Sequence, residues 1–452
     1  MDTMKICRTH PTRTEPACTI LALCLVLVSC SSDPDPPVQD MGTQEDVSSS
    51  VDFSTQDDLS TSEDLGTSED LSDLEDLPDP DPSVLDQTLD ALRQDFEAER
   101  LRIANETESG WPLATEQGYL VVTDSTEFTH IAGDFDGWQG QALTQDTGFR
   151  WAVISEGRAY KFLRIQDETQ SNWAADIWSR AYGWDENGPI SYLRSSIASE
   201  AHRERFFQIG TQTVSRRTVR VWVPSGEPTA LIYAHDGQNL FEPDAINGGW
   251  RLNESAPEGL MIVGVDNTPE RFQDYTHTTD NATGSSVGGG ADAYLAMIKD
   301  QVRPLIAQHY GEPAKVGMMG SSLGGLVSLY AALTQTSDYD FVASLSGTAG
   351  WGSIDAQNQT IIDLFEAAAK PEIRIYIDSG GFGDCADSDG DGIEDDGDGT
   401  DNYCENKQLE AVLLNKGFVA GVDFWHWHEP GAPHNESAWA DRVFRPLAAF
   451  LE

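Results

Sequence analysis

Apolar and polar positions change their rhythm twice along this chain. From 84 to 104 apolar residues recur at helical spacing, which predicts a short helix. From 118 to 195 the rhythm shortens: 119–122, 129–132 and 160–165 read as strands separated by turn residues and predict a small β-domain. From about 203 onward apolar runs alternate with longer amphipathic segments, the pattern of an α/β sheet. Its predicted strands are 219–223, 230–234, 261–265, 315–319, 341–345, 373–377 and 422–427, and its predicted helices 291–309, 323–333, 405–414 and 436–450.

The stretch before residue 84 has neither rhythm. Residues 31–82 are Asp, Glu, Ser, Thr and Pro with isolated Leu, and from Cys30 to the residue before Arg93 there is no Lys or Arg. Such a segment buries too little apolar area to offset chain entropy, so it reads as an extended acidic tether. It carries much of the formal net charge of -48, which excludes a nucleic-acid partner. Ahead of it lie Lys5, Arg8 and Arg13, the apolar run 17–28, and Ser29-Cys30, the layout of an export signal. Leu27-Val28-Ser29-Cys30 resembles the lipobox of bacterial lipoproteins, which implies lipidation at Cys30 and an exported protein anchored to a bacterial membrane, outer membrane or cell surface. An ordinary secretory signal with an incidental cysteine is the other reading, and it too exports the chain.

The 452 residues therefore divide into a signal peptide (1–29), a linker (30–83), a β-domain with its short helix (84–200) and an α/β domain (201–452). With Cys7, Cys18 and Cys24 in the signal region and Cys30 lipidated, Cys385 and Cys404 remain, and in an oxidising compartment they suggest one disulfide.

Every motif with chemistry falls at a strand's C-terminal end or in the loop that follows. Gly320-Ser321-Ser322-Leu323-Gly324-Gly325 follows a strand and opens a helix, the context of a G-x-S-x-G nucleophile elbow. A serine hydroxyl attacks only when a base takes its proton. His434 is that base: it lies between the last strand and the last helix, after the serine as hydrolase order requires. His426 and His428 alternate within the last strand and share a face, and His235 precedes the serine. The acid should follow strand 373–377; Asp384 is chosen, Asp378 is nearer the strand, and Asp401 competes because 385–404 looks like a pinched-out insertion. The oxyanion donors should be the backbone N–H of Leu323 and, from the loop after an early strand, that of Gln238.

Two resemblances sharpen this. Ala132-Gly-Asp-Phe-Asp-Gly-Trp138 resembles the signature of early-set, immunoglobulin-like domains that precede isoamylases and enterochelin esterases and occur in glycogen-binding modules. Trp138, Trp173 and Trp178 are platforms for sugar rings on that resemblance, or packing residues on the plainer one. The segments 236–241, 263–268, 320–324, 378–380 and 434–439 together resemble the esterase family of enterochelin esterases, S-formylglutathione hydrolases and feruloyl esterases, over 203–452. That resemblance implies an α/β-hydrolase sheet with helices on both faces behind a small β-sandwich, a serine carboxylesterase with the triad Ser322, Asp384 and His434, and no cofactor for the chemistry. The partner is then a small ester or a decorated carbohydrate, such as a siderophore lactone or a feruloyl or acetyl decoration. The competing class is a non-catalytic, carbohydrate-binding surface lipoprotein on the same scaffold.

The departure from the family is the lengthened acid loop. Asp387, Asp389, Asp391, Asp395 and Asp398, with Gly392 among them, follow the spacing of an EF-hand-like calcium loop and suggest a structural calcium, against the alternative of a plain acidic loop. A Cys385–Cys404 disulfide would close that loop at its base and pin Asp384 near His434. The glycine run 288–290 lacks the Lys and Ser/Thr of a phosphate loop and reads as a flexible helix entry.

Overall fold

Eight strands run through the C-terminal region: β1 (His202–Ile209), β2 (Arg217–Val223), β3 (Ala230–His235), β4 (Leu260–Val265), β5 (Lys315–Ser321), β6 (Phe341–Leu345), β7 (Arg374–Ser379) and β8 (Phe424–His428). In this computed structural model the described residues are 83–281, 284–354, 356–396 and 401–452. The export signal, Cys30, the acidic tether and Asp398 lie outside them.

The strands stand side by side in the order 1-2-4-3-5-6-7-8. β2 is antiparallel to β1 and β4, whereas every later neighbour is parallel. Sequence explains the difference. β3, β4 and β6 are mostly apolar and buried along their whole length, as strands covered on both faces must be; β2 alternates buried and half-buried positions. Helices cover both faces. α3 (Leu323–Thr334) and α4 (Tyr403–Asn415) pack Leu326, Val327, Leu409 and Leu413 into one core. On the opposite face α5 (Glu436–Arg442) and α6 (Phe444–Leu451) place Trp439, Leu447 and Phe450 beside Trp250. The expected α/β-hydrolase architecture is therefore what the chain adopts.

The helix predicted over 84–104 is two: α1 (Val84–Gln94) and α2 (Phe96–Glu106). Asp95 separates them because its carboxylate accepts a hydrogen bond from Ala98 N at 3.1 Å, capping the second helix while its own backbone leaves helical geometry.

The β-region before β1 does form a sandwich. Gly118–Thr123 and Arg150–Ile154 lie in one sheet and His130–Gly133 and Ala159–Gln166 in another, with Val121, Ile154, Ile131, Tyr160 and Phe162 sharing the core between them. Its second sheet does not stop at the predicted boundary near 200. Ala181–Asp185 pairs with β1, Tyr182 opposite Arg203, so one sheet runs from the sandwich into the hydrolase strands, and the described residues from 83 onward form one compact unit. Asn105 on α2 reinforces the joint by exchanging two hydrogen bonds with the Phe207 backbone, at 2.7 and 2.9 Å.

Candidate active site

Sharp turns at the top of β5 need small neighbours. A side chain at Gly320 would put its Cβ 2.7 Å from the Gly324 carbonyl, and one at Gly325 would meet Ser344 Oγ at 2.4 Å, so the glycines let α3 seat directly behind the strand. Ser322 sits between them at φ 55° and ψ −125°, a conformation L-residues rarely adopt. Its backbone is over-determined: Ser322 N donates to Leu345 O at 3.0 Å, and Ser322 O accepts from Leu326 N at 3.0 Å and Thr348 N at 3.3 Å. The hydroxyl is half-buried with Thr348 Oγ1 3.5 Å away, and Asn402 Nδ2 donates to Thr348 Oγ1 at 3.2 Å.

Leu323 opens α3, so its N–H has no carbonyl in a preceding turn. Gln238 lies in the one-turn helix Gly237–Asn239 after β3, with its side-chain oxygen accepting from Asn267 N at 3.0 Å. That turn is braced from below: Asp236, itself at φ 58°, has its buried carboxylate gripped by Arg271 at 2.8 and 2.9 Å. Burial pushes the Asp236 carboxyl up, but Arg271 outweighs it and holds the group below the usual carboxylate range. Glu436, at the start of α5, accepts from Asn239 at 3.2 Å and Asn247 at 3.0 Å, which ties the histidine loop to the Gln238 turn.

His434 stands in the loop between β8 and α5, its side chain about a third exposed (32%), with Trp439 edge-on to the ring at 5.1 Å. The acid beside it is Asp401. Its Oδ1 lies 2.5 Å from His434 Nδ1, and the Asp401 side chain is fully buried. Burial pushes the Asp401 carboxyl up; hydrogen bonds from His434, Ser346 and Gly380 N outweigh that and keep it below the ordinary carboxylate value.

This corrects the choice of Asp384, which is exposed on the loop and does not meet His434. The reason is the path of the insertion. The chain leaves the sheet after β7, runs out through the acidic loop and returns to its base, where Cys385 and Cys404 are disulfide-bonded. Asp401 therefore arrives at the strand end from the far side of the loop, just before α4. Asp378, which the structure places within β7 itself, is buried and paired with Arg442 at 3.0 Å, and burial raises its carboxyl to about 6.

The remaining histidines have other partners. His235 is buried with Nδ1 2.9 Å from Tyr294 Oη, and burial lowers its pKa to about 3, so it is a neutral support beneath the site. His426 meets Glu410 at 2.8 Å and His428 stacks on Tyr403 at 4.1 Å, both toward α4, so they share a face as expected. In the insertion Asp387, Asp389 and Asp391 bring one carboxylate oxygen each within 4.8 Å of the others; Asp395 instead bonds Ser388. Trp178 packs between Arg100 (4.1 Å) and Phe207 (4.8 Å), a packing residue; Trp138 and Trp173 adjoin each other at 6.1 Å, with Trp173 exposed.

Ser346, Thr348, Asn402 and Arg442 around the site were not foreseen. Only Arg442 carried a sequence signal: a cation three residues after Trp439 on the apolar face of the last helical segment.

The sequence profile of a family described as "Putative esterase" matches residues 173–450. "Uncharacterized protein YbbA" of Bacillus subtilis is 35% identical over 33% of this chain, and "Siderophore triacetylfusarinine C esterase" of Aspergillus fumigatus is 28% identical over 28%. The chain spans 61% and 47% of the lengths of these two curated relatives. Among solved structures, enterochelin esterase from Shigella flexneri aligns with a TM-score of 0.42 at 14% identity, over 74% of this chain and 87% of its own.

Proposed function

Because the chain belongs to the "Putative esterase" family, we propose that it is a serine carboxylesterase whose triad is Ser322, His434 and Asp401. The observation that carries this reading is the 2.5 Å contact between Asp401 Oδ1 and His434 Nδ1. A carboxylate on Nδ1 fixes the tautomer with a lone pair on Nε2, the form that can accept a serine proton.

In the proposed reaction Ser322 Oγ adds to the ester carbonyl carbon while its proton passes to His434 Nε2. Negative charge develops on the former carbonyl oxygen, where the N–H groups of Leu323 and Gln238 receive it. Collapse breaks the bond to the alcohol, which leaves with the proton from His434. Water, deprotonated by His434, then releases the acid from Ser322. No hydrogen bond joins Ser322 to His434 among the described residues, and such contacts often tighten only when substrate is bound.

The substrate class we assign is a small ester of the siderophore type, supported by the name of the Aspergillus relative. The protein would act outside the cell, anchored through Cys30, with a structural calcium on Asp387, Asp389 and Asp391 that takes no part in the chemistry. Loss of p-nitrophenyl acetate hydrolysis in Ser322→Ala tests the triad. A panel of trilactone and hydroxamate siderophore esters against feruloylated sugars then tests the class: faster turnover of the sugars moves the assignment to polysaccharide decoration. Radiolabelled palmitate that fails to depend on Cys30 would remove the anchor.

A further inference from the structure

We propose that Ser346 is a positioning residue for Asp401: its hydroxyl determines which carboxylate oxygen faces His434. The inference rests on the triad reading above. Ser346 follows β6, a strand that carries none of the three reacting groups, and it is completely buried. Its φ of 47° is a conformation in which glycine is relaxed and serine is strained. The hydroxyl must therefore serve something that offsets the strain.

The donors around Ser346 Oγ settle where its proton goes. Arg442 Nη2 approaches at 2.7 Å and Trp439 Nε1 at 3.0 Å. Guanidinium and indole N–H groups only donate, so they occupy the two acceptor positions of the hydroxyl. Its single proton is left for Asp401 Oδ2, 2.7 Å away. Gly380 N donates to the same oxygen. With two donors on Oδ2, the lone pairs of Oδ1 are turned to His434 Nδ1.

The arrangement is anchored further back. Arg442 Nε donates to Asp378 Oδ1 at 3.0 Å, and the same carboxylate accepts from Tyr376 Oη at 3.1 Å. Ser346 N donates to Asp378 O at 2.8 Å. A chain of contacts thus runs from Asp378 through Arg442 and Ser346 to Asp401, bringing β6, β7 and α5 to bear on the orientation of one carboxylate. Such supports commonly matter to a reaction almost as much as the groups they hold.

Two substitutions separate the hydroxyl from the backbone. Ser346→Ala and Ser346→Gly both remove the hydroxyl, but only the glycine relieves the strain. With both variants shown folded by thermal unfolding, p-nitrophenyl acetate turnover should fall about 10- to 100-fold in kcat for each, with KM unchanged, as expected for loss of a hydrogen bond to a charged group. Ser346→Gly within threefold of the wild-type kcat overturns the proposal, because Ser346 would then act only through its backbone. Ser322→Ala assayed alongside keeps the two readings apart: wild-type turnover in that variant overturns the triad itself, whatever the Ser346 variants do.

Discussion

His434 Nδ1 and Asp401 Oδ1 face each other at 2.5 Å, although they stand 33 positions apart in the chain with α4 and β8 between them. Exposed Asp384 has no such contact. Asp401→Asn should therefore lower kcat for p-nitrophenyl acetate on the order of 10³-fold or more, since a neutral amide neither fixes the tautomer nor stabilises the imidazolium. Asp384→Asn should remain within about twofold, as surface substitutions away from the reacting groups generally do. The opposite ranking would return the acid to Asp384.

The miss at Asp384 shows where sequence stops being informative. The elbow at Ser322 was legible because its glycines fall in one short stretch, 320 to 325, although only Gly320 answers to a neighbour within it, Gly324, while Gly325 makes room for Ser344. The position of His434 beside the strand ends was legible from order alone, since it stands in the loop between β8 and α5. The acid depends on how far a loop travels before it returns, and neither periodicity nor spacing encodes that path. Continuity of the sheet across residue 200 was hidden for a related reason, since pairing of Ala181–Asp185 with β1 is a choice of edge. Ser346 was invisible because its role lies in a φ angle and in neighbours from two distant segments, the end of the acidic insertion and α5.

Strain at Ser322 should be measurable as stability. At φ 55° and ψ −125° a glycine is comfortable and a serine or alanine is not. Ser322→Gly should be inactive yet more stable than wild type by about 1 kcal/mol, whereas Ser322→Ala should be inactive without that gain. Urea unfolding midpoints of the three proteins check this; equal midpoints for the alanine and glycine variants would mean that the turn stores no strain.

Asp378 should imprint a pH dependence on stability. Burial raises its folded carboxyl to about 6, above the unfolded value of about 4, so the folded state binds its proton more tightly. The contribution is fully present below about pH 4 and is lost as pH rises through 6. Asp401 has the opposite sign, because its carboxyl is held low: its contribution is present above about pH 4 and lost below. Asp378→Asn should flatten the decline between pH 4 and 6 relative to wild type while lowering stability overall, because Arg442 loses its partner. Parallel urea midpoints for both proteins across that range would show that Asp378 does not titrate there.

The joint between the sandwich and the hydrolase strands predicts that the latter do not stand alone. Removing residues 83–200 bares the outer edge of β1, takes Asn105 from the Phe207 backbone and uncovers Phe207, which packs with Trp178. An unpaired edge next to apolar surface is a template for aggregation. A chain beginning at 201 should therefore be largely insoluble, as judged by the soluble fraction after expression, and a soluble, active one would show that the sandwich is only an appendage.

The disulfide couples the acidic loop to the chemistry through a short lever. Cys404 is buried in the first turn of α4, and Asp401 lies three residues before it. Closing a loop of this size stabilises a fold by about 3 kcal/mol on the chain-entropy account. Without the bond the segment ahead of α4 can fray, and Asp401 would then spend part of its time away from Gly380, Ser346 and His434. Cys385→Ser with Cys404→Ser should lower kcat with little change in KM, and protease cleavage between 385 and 403 should rise. Calcium should oppose both effects if Asp387, Asp389 and Asp391 gather around it, because the metal offsets the repulsion that otherwise opens the loop. Calorimetric titration of the intact protein with calcium chloride gives an independent reading: no binding at millimolar concentration would leave the disulfide as the sole clamp, and calcium should then fail to protect the double variant from protease.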